Sequence, residues 1–111
     1  MNSPEWEFIT RVAGLENVLF WHRNNQRKGF CINGWLNHYP DFIVVTKRGT
    51  VLVLETKGGD RDNSDSKDKL ELGRKWADNA GKQFRYLMVF DAAPLPGAHT
   101  TTEVIEFIRA L

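Results

Sequence analysis

The sequence predicts an α/β fold in which a mixed central sheet lies between helices on both of its faces. Two apolar runs, FIVV at 42–45 and VLVL at 51–54, flank the short turn TKRGT. A helical pattern follows at 65–80, and then a third apolar run, FRYLMVF at 84–90. Runs that are apolar without alternation are typical of strands covered on both faces. The short turn favours an antiparallel pair, whereas the helical connection favours a parallel one.

The elements before residue 40 are predicted from caps and turn residues. Ser3 can cap a first helix with Pro4 at its first position, and Gly14 can end that helix. Residues 17–22 (NVLFWH) predict a strand, and residues 30–34 (FCING) predict a second, briefer one. We expect these earlier strands to form antiparallel hairpins.

The elements after residue 60 are predicted in the same way. Asp65 is the expected cap of the long helix, and Gly81 is its expected end. Thr100 and Glu103 form a capping box for a last helix. The predicted order is therefore αββββαβα. Three tryptophans are predicted to pack in the core, namely Trp6, Trp21 and Trp76.

Length and composition indicate one domain that spans residues 1–111. The net charge of +1 gives no global field toward nucleic acid or an acidic membrane, so any polyanion site must be a local patch. The lone Cys31 fits a reducing cytoplasm and is predicted to be a small strand residue. No stretch is apolar enough to span a membrane, and the N-terminus lacks the pattern of a secretory signal. We therefore expect a cytoplasmic protein without membrane contact.

Three charges gather at the ends of the two central strands. Asp41 precedes the first strand, and Glu55 and Lys57 close the second. If the turn is centred near residue 48, Asp41 and Glu55 lie opposite each other, and Glu55 and Lys57 share a face. Two carboxylates that close repel each other, so the pKa of at least one should be raised. A cation between them would remove the repulsion, and Mg²⁺ is commonly held by one or two carboxylates.

The cluster therefore predicts a metal site for phosphodiester hydrolysis. Asp41 and Glu55 would hold Mg²⁺, for which Mn²⁺ can substitute, and the backbone carbonyl of Thr56 would add a ligand. Lys57 would act on the attacking water or stabilise charge on the phosphate. The alternative is a structural ion pair among these charged residues. His22 and His38 have no partner at zinc spacing and are predicted to be strand-edge or turn residues.

Pro40–Asp41 followed by Glu55–Thr56–Lys57 resembles the signature of the PD-(D/E)XK nuclease superfamily. The flanking sequence is similar to the endonuclease domain at the C-terminal end of type III restriction subunits and related helicase–nucleases, over residues 3–90. The similar stretches are Trp6–Glu7, Trp21–Asn24, Gly29–Phe30, YPDFIV at 39–44, Glu55–Gly58, and an acidic stretch that contains Asp62, Asp65, Asp68 and Lys69.

The resemblance implies a restriction-endonuclease-like αβββαβ core and a Mg²⁺-dependent DNA endonuclease. It implies that a glutamate of the first helix supports the metal site, and Glu7 matches that position better than Glu5. It also implies a partner, either a helicase/ATPase or a modification-recognition domain or subunit. No GxxxxGK[ST] motif occurs in the chain, so it is not itself the motor.

Several of these residues have a simpler alternative. Glu7 can be a favourable charge in the first turn of a helix. The predicted DNA contacts can equally be solvated surface, while Trp35 can stack on a base. The rival function is a catalytically silent nucleic-acid-binding or interaction module with the same fold. The predicted DNA contacts are Arg23, Arg27, Lys67 and Lys69.

Overall fold

The computed structural model describes residues 3–25, 28–34, 36–57, 63–90 and 96–111. The predictions that concern Arg27, Trp35 and Asp62 lie outside these residues, as does the side chain of Asp65. The elements in chain order are α1 (Ser3–Ala13), β1 (Val18–Arg23), β2 (Ile32–Asn33), β3 (Asn37–His38), β4 (Phe42–Thr46), β5 (Val51–Lys57), α2 (Asn63–Ala80), β6 (Phe84–Phe90), β7 (His99–Thr100) and α3 (Thr101–Arg109).

The described strands form a mixed five-stranded sheet with the order β1-β4-β5-β6-β7. β4 pairs antiparallel with β1 and with β5, whereas β6 pairs parallel with β5 and with β7. The predicted parallel pair across α2 is therefore confirmed. Ile43 pairs with Val53, which centres the β4–β5 hairpin on residue 48 as predicted. Gly49 supplies the positive φ of that turn, 93°.

The prediction for residues 17–34 was wrong in its pairing. β1 does not form a hairpin with the segment 30–34 but pairs with β4. Within 30–34 only Ile32–Asn33 is a strand, and it pairs with Asn37–His38 in a separate two-stranded sheet. The cause is the buried Asn24, whose side chain bonds both backbone groups of Phe30 and the carbonyl of Pro40. These bonds tie Asn24 to Phe30 and Pro40 outside the main sheet, so the chain returns to the main sheet only at β4.

Helices cover both faces of the sheet, as the apolar runs predicted. Alternation along β5 directs Leu52 and Leu54 to one face and Val53 to the other. The first face packs against α1 and α3, and the second packs against α2 and the small sheet. The first core contains Phe8, Ile9, Val12, Phe42, Val44, Leu52, Leu54, Leu87, Val89, Val104, Ile105 and Ile108. The second contains Ile32, Val53, Leu70, Leu72, Tyr86, Met88 and Phe90.

The helix ends show both successes and errors of prediction. The capping box of Thr100 and Glu103 is present, and α1 ends just before Gly14. The long helix begins at Asn63, two residues before the predicted cap. Trp6 is 56% exposed, so its prediction as a core residue was wrong. No described helix is long and apolar enough to cross a membrane.

Candidate functional site

The charged residues at the ends of the inner strands β4 and β5 come together at one end of these strands. Asp41 precedes β4, and its backbone N–H donates to the carbonyl of Leu54 at 3.0 Å. Glu55 and Lys57 lie at the C-terminal end of β5, on the face that α2 covers. The hairpin register thus places the carboxyl group of Asp41 beside the C-terminal end of β5, as the sequence predicted.

Asn24 fixes the backbone that carries Asp41. Its side-chain amide donates to the carbonyl of Pro40 at 2.9 Å, and its backbone N–H donates to the carbonyl of Asp41 at 2.8 Å. The residue is 3% exposed, so these bonds form away from competing water. Sequence reasoning used Asn24 only as part of a resemblance and missed this positioning role.

The two oxygens of the Asp41 carboxylate have different surroundings. Oδ2 accepts hydrogen bonds from the backbone N–H and the hydroxyl of Thr56, each at 2.8 Å. Oδ1 lies 3.8 Å from Nη1 of Arg23. Thr56 therefore orients Asp41 through its N–H and hydroxyl, which sequence reasoning missed. The predicted ligation of metal by the Thr56 carbonyl stays a prediction.

Glu55 is a buried carboxyl group, 5% exposed, between two ammonium groups. Its Oε2 lies 3.5 Å from Nζ of Lys57 and 3.9 Å from Nζ of Lys69. Its Oε1 is buried and has no hydrogen-bond partner among the described residues. The sequence predicted Lys69 as a DNA contact, which stays a prediction, and the structure places its Nζ beside Glu55. Lys67 is exposed on α2.

Burial raises the pKa of Glu55 from its ordinary value of 4.5 to about 8. The negative charge of Asp41 adds to this rise, and the charges of Lys57 and Lys69 oppose it. The expectation that one carboxyl has a raised pKa is met, but desolvation contributes more than repulsion. At neutral pH most Glu55 side chains therefore carry a proton, although two lysines lie beside them.

The first helix contributes Glu5 to this region. Oε1 of Glu5 lies 3.1 Å from Nη1 of Arg23, the same nitrogen that faces Asp41. The guanidinium of Arg23 also lies over the ring of Phe42, with its carbon 5.3 Å from the ring centroid. Glu7, which the resemblance favoured, is exposed on α1. A single guanidinium therefore links Glu5, rather than Glu7, to Asp41.

A buried His–Tyr pair lies beneath the charged cluster. Nε2 of His38 and Oη of Tyr86 share a hydrogen bond of 2.6 Å, and His38 is fully buried. Burial raises the pKa of Tyr86, and the charges of Glu55 and Asp41 raise it further. The prediction of His38 as a strand-edge or turn residue missed its burial. The sequence offers no signal for it, because the partner is 48 positions away.

The arrangement offers oxygen ligands and nearby cations. Oε1 of Glu55 has no hydrogen-bond partner among the described residues, and the hydrogen bonds from Thr56 to Asp41 go to Oδ2 and leave Oδ1 3.8 Å from Nη1 of Arg23. No group of three or more His, Cys, Asp or Glu side chains placed to hold a metal occurs in the described part of the chain. A hard cation bound here would rest on these two carboxylates, with water and substrate completing its ligands.

Comparisons with protein-family models, with curated proteins and with solved structures found no match to this chain.

Proposed function

We propose that this protein is a Mg²⁺-dependent endonuclease domain that hydrolyses phosphodiester bonds of DNA. The observation that carries the proposal is the buried carboxyl group of Glu55. Its Oε1 lacks a hydrogen-bond partner among the described residues, and it stands beside Asp41 and the ammonium group of Lys57. A buried carboxyl with a strongly raised pKa and a specific charged neighbour is typical of functional sites.

The topology supports the same proposal. α1 is followed by three strands that pair antiparallel in the main sheet, β1, β4 and β5. α2 then leads to β6, which returns parallel to β5. This order accords with the αβββαβ core expected of the PD-(D/E)XK superfamily. Asp41 precedes β4, and Glu55 and Lys57 lie at the C-terminal end of β5, an arrangement that supports the proposed resemblance to that superfamily.

In the proposed reaction, the side chains bind the metal and stabilise the negative charges on Glu55 and on the phosphate. A bound Mg²⁺ would polarise the phosphate and lower the pKa of a water molecule. Thr56 holds Asp41 by Oδ2, which leaves Oδ1 as its oxygen for the metal. Glu55 must lose its proton to become a ligand, and Lys57 and Lys69 stabilise the carboxylate that forms. Lys57 would then stabilise negative charge that develops on the phosphate.

The proposal includes a partner and a setting. A net charge of +1 gives the chain little field to hold a duplex, so binding by this chain alone should be weak and salt-sensitive. We propose that a helicase/ATPase or a modification-recognition domain or subunit brings the DNA to the site. The single Cys31 accords with a reducing, cytoplasmic setting.

The test is cleavage of supercoiled plasmid DNA by the purified chain with Mg²⁺, with Mn²⁺ or with EDTA. We expect slow nicking with either metal and none with EDTA, and loss of nicking in Glu55→Gln. Glu106→Gln is the matched control, because Glu106 is exposed on α3 at the opposite face of the sheet. A chain that binds DNA but never cuts it, with either metal, would support the silent binding module instead. A parallel reaction with RNA defines the substrate class.

A further inference from the structure

A second feature of the surface lies on the α2 face, beyond the charged cluster. The C-terminal half of α2 and the first residues of β6 enclose a groove of about 450 Å³. Its lining includes Arg74, Asp78, Lys82, Phe84, Arg85 and Tyr86. The volume falls in the range of sites that bind small molecules, and the groove is largely open to solvent.

The groove carries a net positive charge. Three cationic side chains line it, Arg74, Lys82 and Arg85, against one carboxylate, Asp78. Among the described residues no ion pair joins Asp78 to any of these cations. The C-terminal end of α2 adds about half a negative charge, which does not cancel the excess.

Local contacts position Arg85, and the small residue Gly97 leaves room for Arg74. Nη1 of Arg85 donates to the carbonyl of Phe84 at 3.0 Å and also to the carbonyl of Lys82. These acceptors are neutral, so the guanidinium keeps its charge and has further N–H donors. Nη1 of Arg74 lies so close to Gly97 that an added Cβ there would be 2.7 Å from it. A side chain at position 97 would therefore displace Arg74.

The groove and the charged cluster lie toward opposite ends of the paired strands β5 and β6. Tyr86 lines the groove and pairs in register with Val53 of β5, two residues before Glu55. Phe84, which also lines the groove, pairs with Val51, four residues before Glu55, so this part of the groove lies roughly 13 Å from Glu55 along the strands, a distance that about four nucleotides of a helical strand span.

We propose that this groove binds the sugar-phosphate backbone of the nucleic-acid strand that the charged cluster acts on. The proposal rests on the proposed function, and it adds a phosphate contact that the sequence did not indicate. Arginine and lysine bind phosphate oxygens, and the half-buried ring of Phe84 can stack on a base or sugar. Because the groove is open to solvent, it suits a strand that runs through it better than an enclosed small molecule.

The test measures binding of a fluorescent oligothymidylate, about 20 nucleotides long, in EDTA at several salt concentrations. The variant Arg74→Gln/Lys82→Gln removes two groove cations, both exposed and therefore tolerant of change. We expect the salt slope to fall by about 1.4, which corresponds to roughly 25-fold weaker binding at 0.1 M salt. The control Arg11→Gln/Arg109→Gln removes the same charge from exposed positions of α1 and α3 on the opposite face.

The outcomes test binding by the groove and hydrolysis at the charged cluster separately. A groove variant whose salt slope and affinity match the control would overturn the proposal. Competition by inorganic tripolyphosphate, without a change of oligonucleotide slope in the variant, would assign the groove to a small anion and would also overturn it. Binding is measured without metal, so it does not depend on cleavage. If the groove variant has a smaller salt slope than the control but the unaltered chain never cleaves DNA, the groove proposal is supported and the proposed hydrolysis is refuted. If the unaltered chain cleaves DNA but the groove variant has an unchanged salt slope, the groove proposal is refuted and the proposed hydrolysis is supported.

Discussion

The buried carboxyl group of Glu55 makes the stability of the metal-free protein depend on pH. Its pKa is about 8 in the folded chain and 4.5 when it is exposed by unfolding. The protonated form therefore stabilises the fold. That stability is fully present below pH 4.5, declines as the pH rises toward about 8, and is lost above it. At roughly 1.4 kcal/mol for each pH unit, the whole effect has a ceiling of about 5 kcal/mol.

Glu55→Gln tests this reasoning, because glutamine resembles the protonated carboxyl and does not titrate. Between about pH 6 and about pH 9 we expect the free energy of unfolding of the unaltered protein to fall by about 2–3 kcal/mol relative to this variant. The assay is urea denaturation in EDTA, followed by tryptophan fluorescence, at both pH values. The difference between the two pH values is the readout, since it cancels any constant cost of the substitution.

The control is again Glu106→Gln, which removes an exposed carboxylate and should follow the unaltered protein at both pH values. If the free energy of unfolding of Glu55→Gln changes between the two pH values as much as that of the unaltered protein, then Glu55 is ionised in the fold at neutral pH. In that case the two lysines outweigh burial, and the reasoning about the site is wrong.

Three further predictions concern neighbouring residues. Mg²⁺ or Mn²⁺ should raise the melting temperature in calorimetry, and Asp41→Asn should abolish that rise; a rise that persists in the variant would place the ion elsewhere. Asn24→Ala should lower the free energy of unfolding by about 2–4 kcal/mol in urea, because it leaves buried backbone groups unbonded, whereas exposed Asn79→Ala should change it little. Arg23→Gln should tighten Mg²⁺ binding in titration calorimetry, because it removes the cation that faces Asp41 Oδ1; equal or weaker binding would contradict this.

The parts of the fold that the sequence predicted are those with strong local patterns. The runs at 42–45, 51–54 and 84–90 are too apolar for a sheet with an exposed face, and Gly49 fixes the turn between the first two. The capping box at Thr100 is equally local. The site followed from the same information, because hairpin register and alternation suffice to bring Asp41 beside Glu55.

The parts that were missed depend on contacts between distant residues. β2 and β3 have two residues each, which is too few for a periodic pattern, and their position depends on the clamp by Asn24. The choice between Glu5 and Glu7 depends on how α1 is rotated against Arg23, which no local pattern encodes. Lys69 was placed on the correct helix, but its approach to Glu55 depends on how α2 packs against β5.

The most direct test of the proposed hydrolytic function is Lys57→Ala, because it separates metal binding from cleavage. The rate of plasmid nicking is measured at saturating Mg²⁺, and the affinity for Mg²⁺ is measured by calorimetry without DNA. We expect the variant still to bind Mg²⁺ through Asp41 and Glu55 but to nick DNA at least about 100-fold more slowly. Lys75→Ala, an exposed lysine of α2, should nick at the unaltered rate. Nicking by Lys57→Ala at the unaltered rate would contradict the proposed hydrolysis at this site.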